Sequence, residues 1–345
     1  MRFGLFDHVD QQSDRPLAKQ FDERLQFIAG ADEAGFYNFQ VAEHHGTPLN
    51  MVAHPNTFLG AAAHATKQIR LGALVYLLPL YTPLRLIEEL SILDHLSHGR
   101  LEIGVGRGVS PFELNFHKVK HEESRDIFID AYDCMIKGFT HDELNHEGPY
   151  FSYAKVPMAL KPMQKPYPPI WYASSAEFGS RWAGERGLHF GTLGSIEVAK
   201  KNIDAFKDAY ATRGTPAHPK PEIKGGVVMA VNRQLVIADT VEDARKIAQP
   251  AHEQHHEKIM WLMKRNVTSL NYTHNIVGGF DEAIKAGSVI VGTPETVRAD
   301  IERQVAAIGV NHMNFAMFFG NMTLENALRT QRLFAKEVMP KLASL

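Results

Sequence analysis

The stretch from Leu71 to Gly108, LGALVYLLPLYTPLRLIEELSILDHLSHGRLEIGVGRG, restricts the fold more than any other part of the chain. Its apolar runs, Leu71–Leu77 and Arg100–Val105, suit strands buried on both faces, as in parallel sheets. Between them Thr82 stands where a cap would, and Pro83 falls in the first turn, where a missing N–H costs nothing. Leu86, Ile87, Leu90, Leu93 and Leu96 recur at helical spacing, and Gly99 can take the left-handed conformation that ends a helix. The second strand runs out into Gly106-Arg107-Gly108, a cation between residues that let other groups come close. That arrangement points to an anion site.

The same alternation predicts further strands at Arg2–Phe6, Asn38–Ala42, Ile170–Ala173, Leu188–Thr192, Gly225–Val231 and Asn311–Phe318. Helices are predicted at Gln20–Ala34, Asn56–Thr66, His121–Phe139, Ser174–Arg186 and Ser195–Thr212, then at Thr240–Lys264, Glu295–Ile308 and Leu324–Lys341. Lys155–Pro169 reads as a loop or short hairpin, and Val289–Val291 as a strand leading through Gly292-Thr293-Pro294 into the next helix. About eight strand–helix units imply an α/β fold, either an open doubly wound sheet or a closed barrel. The length of 345 residues favours the barrel, a single (β/α)8 TIM-barrel domain over residues 1–345 with insertions. In such a barrel ligands sit where strands pass into the following loops, so His44, Leu74–Tyr76, Arg107 and Ser174–Ser175 are the residues to weigh.

A net charge of −2 gives no reason to expect a nucleic-acid or membrane-surface partner. One cysteine, Cys134, leaves no intrachain disulfide and suits a reducing compartment. The opening MRFGLFDH does not read as a signal peptide, and no run approaches the ~20 apolar residues of a membrane span. The expectation is a cytoplasmic enzyme.

Gly104-Val105-Gly106-Arg107-Gly108 resembles a dinucleotide fingerprint, but Val109 stands where a third glycine would be needed. Ser110-Pro111 also interrupts any helix starting there. The preferred reading is a monophosphate held by the planar guanidinium of Arg107. Ser174-Ser175 would open a helix, offering hydroxyls and free N–H groups to phosphate or serving only as a cap. Arg125 could complete one phosphate site with them. Glu43-His44-His45, at the end of the second strand, offers a general base, a metal ligand or a polar loop.

His252-Glu253-Gln254-His255-His256 spells H-E-x-x-H, although a zinc hydrolase needs a third ligand and an open site. A solvated helix face explains it as well, and no metal is expected. Asp7-His8 lacks the paired histidines of a metal-dependent barrel hydrolase. Small residues at Gly60–Ala63 invite a close helix neighbour, in this chain or in a second subunit. The homodimer expected on this ground has an interface that includes Asn56–Thr66 and its neighbour Pro83–His98, each helix set against its copy by a two-fold axis. The segment Arg265–Gly287 lacks a sustained helical period and holds Gly278-Gly279, so a mobile lid is expected there.

With these residues assembled, the chain resembles the bacterial luciferase-like, flavin-dependent monooxygenases over nearly its whole length. The resemblance is carried by AEHH at Ala42–His45, Leu78-Pro79 and PLRLIEELSILDHLSHGRLEIGVGRG, and ESRD at Glu123–Asp126. WAGERGL at Trp182–Leu188, VGTPE at Val291–Glu295 and FAKEVMP at Phe334–Pro340 add to it. It implies a barrel binding FMN at the strand ends, the phosphate contacted by Arg107 and Arg125 and helped by Ser174, Ser175 and Ala176. It also implies a non-prolyl cis peptide near Leu74-Val75 packed on the flavin ring, and His44 as the catalytic residue. The implied chemistry uses reduced FMN from a separate flavin reductase, molecular oxygen and a peroxyflavin to oxidise a small organic substrate. A deazaflavin-dependent hydride transfer is the runner-up; a zinc hydrolase or a non-catalytic flavin-binding protein is more remote. Gly106 replaces the reactive cysteine of the luciferases, and Val109-Ser110-Pro111 also departs from them, so light emission is not expected.

Overall fold

Continuous apolar strands need cover on both faces, and a closed barrel inside a ring of helices supplies it. The computed structural model describes residues 1–108, 110–213, 226–265 and 278–345. The first half of the chain gives β1 (Arg2–Asp7), α1 (Leu17–Glu33), β2 (Asn38–Val41), α2 (Pro55–Ala65), β3 (Arg70–Leu77) and α3 (Pro83–Leu96). There follow β4 (Leu101–Gly106), α4 (Pro111–Phe116), α5 (Ser124–Thr140), and a hairpin of β5 (Glu143–Glu147) and β6 (Ser152–Pro157). The second half gives β7 (Ile170–Ala173), α6 (Glu177–Glu185), β8 (His189–Thr192), α7 (Ile196–Ala211), β9 (Met229–Ile237) and α8 (Val241–Arg265). The chain closes with α9 (Phe280–Lys285), β10 (Val289–Gly292), α10 (Pro294–Ile308), β11 (His312–Ala316), α11 (Leu324–Leu333) and α12 (Met339–Leu342).

Eight parallel strands close the barrel in the order β1-β2-β3-β4-β7-β8-β9-β11 and back to β1. β10 is a ninth strand, laid against the far half of β9 through Val289↔Gln234 to Gly292↔Ile237. The barrel expected from the sequence is therefore the one observed.

Several boundaries differ for identifiable reasons. The strand expected at Gly225–Val231 runs instead over Met229–Ile237, because Asn232, Arg233 and Gln234 interrupt the apolar run without ending the strand. Buried Arg233 is accommodated by Gln304 Oε1 at 2.7 Å and by the carbonyl of Gly194 at 2.9 Å. Pro111, read as a helix breaker, occupies the first turn of α4, and Ser110 caps it by accepting from the Glu113 N–H at 3.2 Å. Thr82 makes no side-chain cap bond, although Pro83 does open α3; past the helix, His98 and Gly99 are both left-handed, with φ of 54° and 76°. The hairpin lies at 143–157, ahead of most of the proline-rich passage. Of the expected lid, residues 266–277 lie outside the described residues. Residues 278–287 hold α9, which buries Phe280 and Ala283, so that part is packed helix rather than irregular loop.

Inside the barrel the wall is polar towards the amino end. Buried Glu102 accepts from Trp171 Nε1 at 2.8 Å, Asn38 Nδ2 at 3.1 Å, Arg70 Nε at 2.8 Å and the Tyr37 hydroxyl at 3.0 Å. A buried carboxylate so fully satisfied ties four strands together and closes that end. In a barrel of this kind ligands sit at the opposite, carboxyl end.

Candidate active site at the carboxyl ends of the strands

β1 and β2 run side by side up to Asp7↔Val41, and each delivers a histidine just past its end. After β2, the Glu43 carboxylate accepts from the Leu77 N–H and the Tyr81 hydroxyl, both at 2.9 Å, and meets His45 Nε2 at 2.9 Å. That brace fixes the backbone of Glu43-His44-His45 against β3. Alternation along the chain then sends the His44 ring to the opposite side, where its Nδ1 meets the Glu113 carboxylate of α4 at 3.1 and 3.3 Å. The same carboxylate accepts from the His45 N–H at 2.7 Å, and its side chain is 2% exposed against 20% for His44.

Burial alone would lower the His44 pKa; the Glu113 carboxylate outweighs it and holds the imidazole above its ordinary value. Burial likewise pushes Glu113 up, and His44 with the hydrogen bonds from His45 and Ser110 brings it below the ordinary range. A carboxylate on Nδ1 leaves Nε2 as the ring nitrogen available to a ligand.

The residues expected to meet a phosphate follow β4 and β7, which pair directly through Ile103↔Ile170 to Val105↔Tyr172, or open α5. Arg107, half-buried, follows β4 and makes no hydrogen bond or ion pair among the described residues. It sits close enough to His121 for its charge, after burial, to lower the pKa of that imidazole. The backbone carbonyl of His121 in turn accepts from the Ser124 hydroxyl at the start of α5, whose next residue is Arg125. The Arg125 guanidinium lies 3.8 Å above the ring of Phe178 in α6. The loop Ser174–Ala176 precedes α6; the serines do not open the helix, which starts at Glu177. Instead Ser174 Oγ accepts the Ala176 N–H at 3.1 Å.

Leu74 and Val75 belong to a small apolar cluster. β3 carries an extra residue between Ala73 and Tyr76 relative to β4, and the Leu74–Val75 peptide in that irregularity is cis. Leu74 packs with Trp171, Val228 and Ala230 in a small cluster apart from the main core, edged by Phe6, Val75 and Ala173. Gln40 Nε2 and Asn232 Oδ1 are buried without a hydrogen-bond partner among the described residues. An apolar cluster, two amide atoms without a partner and an arginine without a hydrogen bond or ion pair among the described residues suit a planar heteroaromatic with an anionic tail.

Of the residues expected from the sequence, His44, Arg107 and Ser174–Ala176 follow the carboxyl ends of β2, β4 and β7, Leu74 and Val75 lie in the carboxyl half of β3, and Arg125 lies in the first turn of α5. Sequence reasoning missed Glu113, which carried no local signal because α4 was read as broken at Pro111. It also misread the H-E-x-x-H stretch. His252 is buried with Nδ1 on Gln234 Oε1 at 2.7 Å, and burial drives its pKa down to about 4. The member that reaches the site is His255, whose ring centroid is 5.1 Å from that of His8. Among the described residues no group of three or more His, Cys, Asp or Glu is arranged to hold a metal ion. No helix among them is long and apolar enough to cross a membrane.

Comparison with known proteins agrees with this geometry. A family model described as luciferase-like monooxygenase matches residues 1–312. The oxygenase component of the flavin-dependent trigonelline monooxygenase of Acinetobacter baylyi is 28% identical, covering 99% of this chain and 95% of its own. The crystal structure of the monooxygenase RslO1 from Streptomyces bottropensis superposes with a TM-score of 0.87 at 25% identity, over 99% of both chains. The oxygenating constituent of the 3,6-diketocamphane monooxygenase of Pseudomonas putida, solved with FMN, shares the fold at a TM-score of 0.80 and 20% identity, covering 99% of this chain and 98% of its own.

Proposed function

Because the chain belongs to the luciferase-like monooxygenase family, we propose that it is the oxygenase of a two-component system using reduced FMN and oxygen to oxidise a small organic substrate. Bound reduced flavin would supply two electrons to oxygen, with one oxygen atom entering the substrate and the other leaving as water. This chain's residues supply the rest. Arg107 and Arg125 hold the phosphate, assisted by Ser174, Ser175 and Ala176. Leu74 and Val75 support the ring and, with Phe6 and Ala173, keep water from one face of it. His44, whose pairing with Glu113 favours the protonated ring, presents a proton at Nε2.

The observation that carries the reading is Arg107, half-buried just past the end of a barrel strand with no hydrogen bond or ion pair among the described residues, next to Gly106, which lies against Val75. A guanidinium so placed is free for a phosphate, and its desolvation is repaid only when an anion arrives. The separate reductase is supported by the name of the trigonelline enzyme, an oxygenase component. A cytoplasmic location and a homodimer belong to the same reading; exposed Ile92 and Leu96 on α3, beside a groove shared with α2, support the dimer.

The test is FMN titration of wild type and Arg107→Ala, with oxygen uptake on adding reduced FMN. A hydrogen bond to a charged group contributes about 1.5–3 kcal/mol, so affinity should fall roughly tenfold to hundredfold. Unchanged affinity would remove Arg107 from the site. Failure of the wild type to bind FMN, with hydride transfer to a deazaflavin instead, would overturn the cofactor.

A further inference from the structure

His8 is the first residue past β1, and the chain turns sharply behind it. Val9, buried, has φ of 51°, a left-handed conformation that is an outlier for a β-branched residue. Such strain persists only where the surroundings over-determine it, and it concentrates at functional sites. Here the Val9 N–H donates to Asp7 Oδ1 at 2.6 Å, and its carbonyl accepts from the Met51 N–H at 3.0 Å. Asp7 is itself held by Arg24 Nε at 2.8 Å, and the Arg24 guanidinium lies 3.4 Å above Phe318. A buried ion pair and a long-range backbone bond thus enforce the turn that directly follows His8.

The His8 ring lies against that of His44, with centroids 5.9 Å apart and planes within 16°. On its other flank is His255 of α8 at 5.1 Å. The two stacked rings have opposite surroundings. His44 faces the carboxylates of Glu113 and Glu43 and the His8 ring, with His45 turned to Glu43. His8 faces two imidazoles and has no hydrogen-bonded carboxylate among the described residues. Asp10, the carboxylate whose charge acts on His8, is engaged by Lys258 Nζ at 2.9 Å and the Gly320 N–H at 3.1 Å, with His255 Nδ1 at 3.5 Å.

We propose that His8 is a second proton-handling group of this site, accepting a proton from the reacting molecule while the carboxylate-paired His44 donates one. The proposal rests on the reading of His44 given above. The proton leaves an O–H or N–H of the reacting molecule for a ring nitrogen of His8, and His44 passes its own to an oxygen of that molecule, leaving the net charge of the site unchanged. Burial, then His255 and His44, hold His8 well below the ordinary histidine value, against a smaller opposing effect of Asp10. Neighbouring groups whose environments push their protonation apart are the usual acid and base of a site.

Ring NMR of the full-length protein without flavin reads both histidines directly: His44 should titrate above the ordinary histidine range and His8 below it. The reverse order would overturn the proposal. Kinetics use reduced FMN and oxygen as the probe, with protein in excess, following FMN and hydrogen peroxide, a transfer of two electrons and two protons. Wild type should slow at both pH extremes. His44→Asn should lose the alkaline decline, and His8→Asn the acidic one, with rates down roughly 100-fold. His255→Asn, which leaves His8 in place, should move the acidic limb to higher pH. A His44→Asn enzyme at wild-type rate would sink the underlying reading. A slow His44→Asn enzyme beside an unimpaired His8→Asn, or an unmoved limb in His255→Asn, would sink the role of His8 alone.

Discussion

Gly106 closes β4 immediately before Arg107, and the structure gives a reason for its lacking a side chain. A Cβ there would stand 2.3 Å from Val75 Cγ2 and 3.2 Å from Val75 Cβ. Real contacts do not approach 3.0 Å, so Gly106→Ala must displace Val75 by more than half an ångström. Valine is stiff at χ1, so the strain passes to the backbone of the β3 irregularity. Overpacking of this kind costs about 1–3 kcal/mol. Alanine also restricts the unfolded chain, which offsets about 0.4–1 kcal/mol. The expected net loss is roughly 0.5–2 kcal/mol, read from the urea midpoint by tryptophan fluorescence. Because Val75 edges the proposed flavin plate, FMN affinity should fall as well. Val75→Ala in the same chain should restore much of the loss, and a double-mutant cycle should return a coupling of roughly 1 kcal/mol. A Gly106→Ala protein as stable as wild type, or a cycle with no coupling, would refute the reasoning. The cysteine that the luciferases carry at this point faces the same obstacle here.

Acid stability tests the buried histidines. Burial lowers the pKa of His252 and of His312 to about 4, whereas an unfolded histidine titrates near 6.5. Between those values the unfolded chain binds more protons, so stability should fall by the order of a few kcal/mol as pH drops from about 6.5 to 4. Urea midpoints across that window check it: His312→Gln should flatten the slope, and a flat wild-type profile would count against neutral burial. For the dimer, sedimentation at micromolar concentration should give twice the chain mass, and Ile92→Lys should give monomers; a monomeric wild type would return Gly60–Ala63 to packing within the chain.

What the sequence by itself determined was whatever depends on local periodicity and on residue types at element ends. The eight barrel strands, the helices between them and the convergence of Arg107, His44 and the Ser174 loop on one end all follow from that, because in a parallel barrel every strand end faces the same way. Where polar residues enter a strand, as at Asn232–Gln234, the apolar pattern lapses and only the ladder to β11 and β10 shows that the strand continues. Tertiary structure alone decided the partners of the site. Glu113 reaches His44 across 69 positions of chain, and His255 reaches His8 from a helix whose sequence pattern drew attention to its neighbours. Charge state depends on those distances: one imidazole meets a carboxylate and is held high, while its stacked neighbour meets other imidazoles and is held low. No local pattern carries that difference, since it arises only when separate elements pack together and exclude water.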